Sequence, residues 1–285
     1  MSSRSPDHAR PARRGALAAA ALLLGACHAA GANAGGPAPL RVCADPDNLP
    51  FSRSDGSGFE NRIARLLADD MHVPLEYAWL PDRRGFVRKT MGAGLCDVIV
   101  GVPAGFEPVD TTAPYYRSGF VFVGRAPAQG QADMLRSFDD PRLPSLRIGV
   151  LLIGIDPGTS PVGYALARHG AIDHVVGYTL YDPEPPAQRM IEAIAAGRLD
   201  SALLWGPQAG YFARRAAVPL EIAPARPPAD MAAFPFEFSI AMGVRKGDEA
   251  LRRRLDDFIV RRRHDIDAVL AEYGVPRTDI AGAAQ

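Results

Sequence analysis

Two carboxylates, Glu60 and Glu107, are the side chains of this sequence best suited to acid/base chemistry. A pair of carboxyl groups that faces one cleft can donate and accept a proton during a reaction. Glu60, however, stands at the predicted start of a helix, where the helix dipole stabilises a carboxylate that has no catalytic role. We therefore expect the two carboxylates to shape a cleft, and we predict no catalytic residue.

Sequence motifs for metal, phosphate or nucleophile chemistry are missing from this chain. No H-E-x-x-H or G-x-S-x-G motif occurs, and the turn at 101–105 contains glycines but lacks the Lys-Ser/Thr of a phosphate loop. The histidines outside the N-terminal segment are scattered: His72, His169, His174 and His264. The sequence thus predicts no metal, no cofactor and no enzymatic activity.

The N-terminal segment has the pattern of an export signal. Four arginines precede the apolar run 16–24, which is too short to span a bilayer and is followed by small residues. Two processing outcomes stay open. Leu24-Gly25-Ala26-Cys27 resembles a lipobox, which would attach a lipid to Cys27 and hold the protein to a membrane, whereas Ala32-Asn33-Ala34 is an ordinary cleavage site. We predict a signal segment over 1–34 and a periplasmic protein.

Two cysteines, Cys43 and Cys96, remain after export. In an oxidising compartment such a pair predicts a disulfide. Cys43 lies in the first predicted strand and Cys96 begins another, so the pair can bond if these strands are neighbours. A redox or metal site would need C-x-x-C spacing or nearby ligands, and neither is present.

The composition is that of a globular protein, with 47 % hydrophobic and 22 % charged residues among 285. Without the arginine-rich signal the chain is nearly neutral, and no basic stripe remains. Nucleic acid is therefore not an expected partner.

The order of predicted elements indicates an α/β fold with two lobes. An amphipathic helix over 58–72 is followed by a strand over 75–79, a short helix over 85–94 and a strand over 97–102. A second strand and helix series, which includes a strand over 201–205, runs from 146 to 222. Extended segments at 119–123 and 236–244 would cross between the lobes. We predict one lobe from 38–118 plus 237–281 and the other from 119–236.

The turn at 45–51 follows the first strand, at the edge where open α/β sheets keep their ligand crevices. Thr159 and Ser160 precede a helix, where hydroxyls and amides either receive an anion or simply cap the helix, and both interpretations stay open. The residues that we predict to line a ligand or partner cleft are Asp45, Asn48, Phe51, Glu60, Arg84, Phe106, Glu107, Thr112, Tyr115, Thr159, Ser160 and Trp205.

Several motifs resemble type II periplasmic solute-binding proteins over nearly all of the exported chain: 42–51, Gly58-Phe59-Glu60, 96–99, Pro114-Tyr115-Tyr116 and 273–276. A narrower set is similar to the MoxJ-type proteins that accompany quinoprotein dehydrogenases: 43–52, 83–86, 94–98, 101–107 and 204–212. This resemblance implies a type II binding-protein fold with two crossing segments. It also implies an accessory role in maturation or activation of a PQQ-dependent methanol or alcohol dehydrogenase, which would be the partner.

Departures from amino-acid receptors favour the narrower resemblance. Those receptors hold the ligand carboxylate with an arginine shortly before the hinge, but no arginine lies between Arg88 and Arg117. Asn48 and Arg84 also stand where such receptors commonly have aromatic rings. Two alternatives are retained: a receptor of an ABC transporter for a small organic solute, and an exported dehydratase of the cyclohexadienyl type that uses Glu60 or Glu107.

Overall fold

The computed structural model describes residues 36–128, 133–152, 160–180 and 184–278. The predicted export segment with Cys27, and Thr159 of the predicted cleft, lie outside these ranges. Among the described helices, none has the length and apolar character needed to cross a membrane.

The first half of the chain alternates strands and helices, as predicted. Its elements are β1 (Leu40–Ala44), β2 (Asp47–Asn48), β3 (Ser52–Arg53), α1 (Phe59–Met71), β4 (Leu75–Trp79), α2 (Phe86–Lys89), β5 (Val98–Pro103), β6 (Asp110–Thr111) and β7 (Tyr116–Arg125). Strand β1 is parallel to β4, with Leu40 opposite Leu75, and to β5, with Val42 opposite Val98. Parallel strands joined by helices are the arrangement that the alternating pattern indicates.

The second half repeats this arrangement and ends in two helices. Its elements are β8 (Ile148–Leu151), α3 (Pro161–Arg168), β9 (Val175–Tyr178), α4 (Pro186–Ala195), β10 (Ser201–Trp205), α5 (Gly206–Ala213), β11 (Leu220–Pro224), β12 (Glu237–Val244), α6 (Glu249–Arg261) and α7 (Arg263–Glu272). Asp248 caps α6, where its side chain accepts a hydrogen bond from the backbone nitrogen of Leu251 at 3.0 Å.

Strands β7 and β12 are the two crossing segments. They pair antiparallel, with Tyr116 opposite Ile240 and Gly119 opposite Glu237. Beyond this pairing β7 continues into the second lobe, where Phe120 lies opposite Trp205 of β10. Eight of these strands form one continuous sheet in the order β4-β1-β5-β12-β7-β10-β8-β9, to which β11 is added beside β7 and β6 beside β12, while β2 and β3 pair separately. The predicted α/β class with two crossing segments is confirmed, and the lobe boundaries stay a prediction.

One predicted helix is shorter than its sequence pattern suggested. We expected a helix over 85–94, but α2 ends at Lys89 and a separate 3-10 turn covers Met91–Ala93. Gly85 and Gly94 adopt left-handed backbone conformations, with φ of 87° and 73°, which a continuous right-handed helix cannot contain.

The first lobe buries the apolar face of α1 against α6 and α7. The residues with no exposed surface include Phe59, Ile63, Leu67, Phe258 and Leu270. On the other face of the sheet Cys43 and Cys96 form the predicted disulfide, with 5.4 Å between their α-carbons. Since Cys43 belongs to β1, this bond fixes the strand that leads into the predicted cleft.

Candidate functional site

A cavity of about 350 Å³ opens beside the carboxyl end of β1. The first lobe supplies most of its wall, the crossing strands β7 and β12 close one side, and β10 contributes Trp205. This volume is at the lower end of the range for small-molecule sites. Its polar lining includes three carboxyl side chains, Asp45, Glu60 and Asp82.

Asp45 is buried and joins two loops of the first lobe. Its Oδ1 accepts a hydrogen bond from the backbone nitrogen of Asp47 at 2.9 Å, and its Oδ2 accepts one from that of Asp82 at 2.6 Å. The Arg83 guanidinium lies 4.0 Å from Oδ2 and also donates to the carbonyl of Leu180 at 3.1 Å. These contacts hold the loop after β4 beside the cavity.

The turn at 45–53 is fixed by the start of α1. The backbone nitrogens of Phe59 and Glu60 each donate at 2.8 Å, to the carbonyls of Pro50 and Phe51 respectively. Gly58 is required here because a Cβ would collide with the Phe51 carbonyl. The turn thereby places Asn48 and Phe51 on the cavity wall.

The Glu60 carboxyl has no hydrogen-bond partner among the described residues, and it faces the cavity beside Gly101. A Cβ at Gly101 would collide with Oε1 of Glu60. Burial, with a smaller contribution from the Asp82 carboxylate, raises the pKa of Glu60 to about 8. The cavity therefore holds Glu60 mainly in its protonated form at neutral pH.

Two adjacent tyrosines near Glu60, Tyr115 and Tyr116, differ in their hydrogen bonding. The Tyr115 hydroxyl donates to the carbonyl of Val100 at 3.0 Å. The Tyr116 side chain is only 2 % exposed and lines the cavity, and within the described ranges no group hydrogen-bonds to its hydroxyl. Burial raises the pKa of both phenols well above 10, so both remain protonated.

The opposite wall is aromatic. Trp205 makes edge contacts with Phe120 at 5.6 Å and with Phe238 at 5.8 Å between ring centroids. These three rings belong to β10, β7 and β12, so the paired strands themselves bring them together. The wall supplies apolar surface and π faces to whatever enters the cavity.

Of the predicted cleft residues, the structure brings five to this cavity: Asp45, Asn48, Phe51, Glu60 and Trp205. Ser160 lines a smaller adjoining cavity of about 150 Å³ that also contacts Trp205. The Ser160 hydroxyl accepts a hydrogen bond from the backbone nitrogen of Gly163 at 3.1 Å, so this side chain is the N-cap of α3.

Five other predicted residues do not line the cavity. Thr112 is turned into the fold, where its hydroxyl donates to the Ala113 carbonyl and accepts from the backbone nitrogen of Met242. Tyr115 is a core residue with no exposed surface. The remaining three lie in exposed positions of the turns that follow β4 and β5: Arg84, Phe106 and Glu107.

Sequence reasoning missed the other wall residues, among them Asp82, Phe86, Tyr116, Phe120 and Phe238. A usable signal existed for two of them. Side chains alternate between the faces of a strand, so Phe120 shares a face with Tyr116, and Phe238 shares one with Ile240. Asp82 lies in a loop, where no such periodicity applies.

The site is suited to binding a cation or a neutral group. Across the described segments, no lysine, arginine or histidine lines the cavity, and no group of acidic, histidine or cysteine side chains is arranged to hold a metal ion. A ligand carboxylate would therefore meet carboxyl groups here without a cationic partner among these residues.

No protein-family model matches the chain. It is 34 % identical over 261 residues to Protein MoxJ of Methylorubrum extorquens, covering 83 % of this chain and 81 % of that protein. Among solved structures, it is similar to MxaJ of Methlophaga aminisulfidivorans with a TM-score of 0.73 and 26 % identity, over 84 % of this chain and all of that one. It is also similar to the periplasmic binding protein XoxJ of Methylobacterium extorquens, with a TM-score of 0.66 and 36 % identity, over 85 % of this chain and 100 % of that one.

Proposed function

Because the chain belongs to the MoxJ family, with the fold of periplasmic binding proteins, we propose that it is a periplasmic accessory protein of a PQQ-dependent methanol or alcohol dehydrogenase. In this role it aids maturation or activation of the enzyme and catalyses no reaction itself. The observation that carries the proposal, beside family membership, is the cavity's acidic lining without a cationic side chain among the described residues.

This lining argues against a conventional amino-acid receptor. Such a receptor needs a positive group for the ligand carboxylate. Such receptors place an arginine for this purpose shortly before the hinge, and in this chain the first arginine after Arg88 is Arg117. The Arg117 guanidinium is paired with Glu237 at 3.1 Å. Arg83 is engaged by Asp45 and by the Leu180 carbonyl. Neither arginine is among the cavity-lining residues.

The dehydratase alternative names Glu60 or Glu107 as its acid/base residue. Glu60 lines the cavity, whereas Glu107 is exposed on the turn after β5 and does not. This leaves Glu60 as the candidate for acid/base chemistry in that alternative. Because the MoxJ-family relative and the similar solved structure are not enzymes by name, we favour a binding protein with a dehydrogenase as its partner.

Deletion of the gene in the source bacterium tests the proposal. We expect the quinoprotein dehydrogenase to accumulate but to show low specific activity during growth on an alcohol, and a plasmid copy of the gene to restore it. Growth on a substrate that bypasses the dehydrogenase serves as the control and should be unchanged. Normal dehydrogenase activity in the deletion strain would contradict the proposal.

A further inference from the structure

We propose that the cavity beside β1 binds a protonated aliphatic amine, either free or at the end of a lysine side chain. The ammonium group would lie near Glu60 and Tyr116, and the hydrocarbon part would contact the aromatic wall. This inference concerns the ligand of the cavity and does not rest on the link to a dehydrogenase.

The charge of the lining selects a cation. Asp45, Glu60 and Asp82 supply carboxyl groups, whereas the described lining residues include no cationic side chain. The nearby Arg83 guanidinium is directed to the Leu180 carbonyl and to the backbone carbonyl of Asp82 at 3.1 Å, with Asp45 at 4.0 Å. An anionic ligand would be repelled by the ionised carboxylates and would favour the neutral form of Glu60, while an ammonium would be attracted and would favour its ionised form.

Two unpartnered polar groups supply hydrogen-bond acceptors. The Tyr116 side chain is only 2 % exposed and its hydroxyl has no partner in the described structure, and the half-buried Glu60 carboxyl is likewise unpaired. Buried side chains such as Tyr116 normally have hydrogen-bond partners, so the unpaired hydroxyl on the cavity wall indicates that a ligand supplies one. An ammonium has three donors and no acceptor, which suits a carboxylate and a phenol oxygen together.

The aromatic wall suits the rest of the ligand. Phe120, Trp205 and Phe238 present a continuous apolar surface, and Phe51 lies on the turn that forms another part of the wall. A cation beside such rings is further attracted by their π faces, most strongly by that of tryptophan. The volume of about 350 Å³ matches a short aliphatic amine better than a large solute.

Binding of an ammonium is coupled to the titration of Glu60. The titratable groups around this carboxyl are Asp82 from the loop after β4, Tyr77 from β4, and Tyr115 and Tyr116 at the start of β7. The three phenols stay protonated, since burial raises their pKa values. Because the pKa of Glu60 in the empty cavity is about 8, a bound cation should drive the release of one proton at pH 7.

Calorimetric titration of the purified, exported chain with three ligands of equal length tests the proposal. We expect saturable binding of butylamine, binding of butanol weaker by about tenfold or more, and no binding of butyrate. Butylamine affinity should rise by up to about tenfold between pH 6 and pH 7, with proton release visible as a buffer-dependent heat. Equal binding of butanol, preferential binding of butyrate, or no binding of butylamine would overturn the proposal.

Two variants locate the site. Glu60→Gln should weaken butylamine binding by about tenfold and abolish its proton release, because the amide cannot ionise. Glu107→Gln is the matched control, since Glu107 is exposed outside the cavity, and it should bind butylamine as the wild type does. Should Glu60→Gln fail to fold, Tyr116→Phe replaces it, with weaker binding expected. Unchanged affinity in a folded cavity variant would overturn the assignment.

A lysine derivative separates the two sources of the amine. Nα-acetyl-lysine amide carries the same ammonium on a peptide-like body. If it binds as tightly as butylamine, the site accepts a protein lysine, and if only butylamine binds, the ligand is a free amine. Both results support an ammonium site, whereas failure of both amines refutes it, whatever the deletion strain shows.

Discussion

The Oδ2 atom of Asp45 accepts a hydrogen bond of 2.6 Å from the backbone nitrogen of Asp82. This bond joins the turn after β1 to the loop after β4, two segments that are 37 residues apart in the chain. Both segments line the cavity, and Arg83, the next residue, reaches the Leu180 carbonyl of the second lobe. Asp45 therefore has a structural role in holding the cavity wall, in addition to its charge.

Replacement of Asp45 by alanine should destabilise the fold. Its buried carboxylate satisfies the backbone nitrogens of Asp47 and Asp82, and their loss of a partner should lower the free energy of unfolding by about 2 kcal/mol. Urea denaturation followed by circular dichroism measures this. Asp55→Ala is the control, because Asp55 also accepts a backbone hydrogen bond, from Ser57, but in an exposed loop. An equal effect of both changes would contradict the role given to Asp45.

The buried Glu60 carboxyl should make the wild type less stable as the pH rises. Its pKa is about 8 in the folded protein and near 4.5 when unfolded, so the folded state binds more protons between these values. The contribution of the protonated Glu60 to the free energy of unfolding is complete below pH 4.5. It is lost progressively up to pH 8, by at most about 1.4 kcal/mol per pH unit. The free energy of unfolding, measured between pH 4.5 and pH 8 for wild type and for Glu60→Gln, gives the part of the pH dependence that Glu60 causes.

In that comparison, Glu60→Gln should gain stability relative to wild type as the pH rises, because the amide has no charge to bury. Glu107→Gln should run parallel to wild type over the whole range, since Glu107 is exposed. A constant difference between Glu60→Gln and wild type from pH 5 to pH 8 would show that the carboxyl is not held in its neutral form.

Loss of the Cys43–Cys96 disulfide should lower stability. The bond closes a loop between residues 53 apart in sequence, which in the chain-entropy model contributes about 4 kcal/mol. Thermal unfolding of the Cys43→Ala/Cys96→Ala double variant, beside wild type with and without reductant, tests this. The melting temperature of the reduced wild type should approach that of the double variant. If the melting temperatures of all three samples coincide, the disulfide contributes nothing to stability.

Trp205 should report occupation of the cavity by its fluorescence. The chain has two tryptophans, and the other, Trp79, is stacked on Tyr77 with 4.4 Å between ring centroids. In a Trp79→Phe variant the emission comes from Trp205 alone, and butylamine should change it saturably. A Trp205→Phe variant retains only Trp79, whose emission should stay constant. A response from Trp79 with none from Trp205 would place the ligand elsewhere.

Much of the framework could be predicted because its signals are local. Strands β4 and β10 have the predicted bounds, Leu75–Trp79 and Ser201–Trp205, since turn-forming residues delimit short apolar runs. The disulfide was expected from the predicted export and from the positions of the two cysteines: Cys43 lies on β1 and Cys96 lies just before its neighbour β5. The strand bounds were contained in a few consecutive residues, whereas the cysteine pairing also needed β1 and β5 to be neighbours.

The direction of side chains in turns could not be predicted. Arg84 and Glu107 were predicted to line the cleft, but they lie in exposed turns after β4 and β5, where the nearby glycines Gly85 and Gly105 adopt left-handed conformations and redirect the chain. Conversely, Asp82 reaches the cavity because its backbone binds to Asp45, a contact between distant segments that no local pattern contains. Tyr115 and Tyr116 are neighbours of identical type, and only the strand register decides which one faces the cavity.

The activity of a dehydrogenase purified from the deletion strain tests the central claim most directly. The enzyme should be inactive or weakly active per molecule as isolated, and its specific activity should rise after incubation with this protein and PQQ, but not with PQQ alone. An enzyme from the deletion strain that is already as active as the wild-type enzyme would contradict the accessory role.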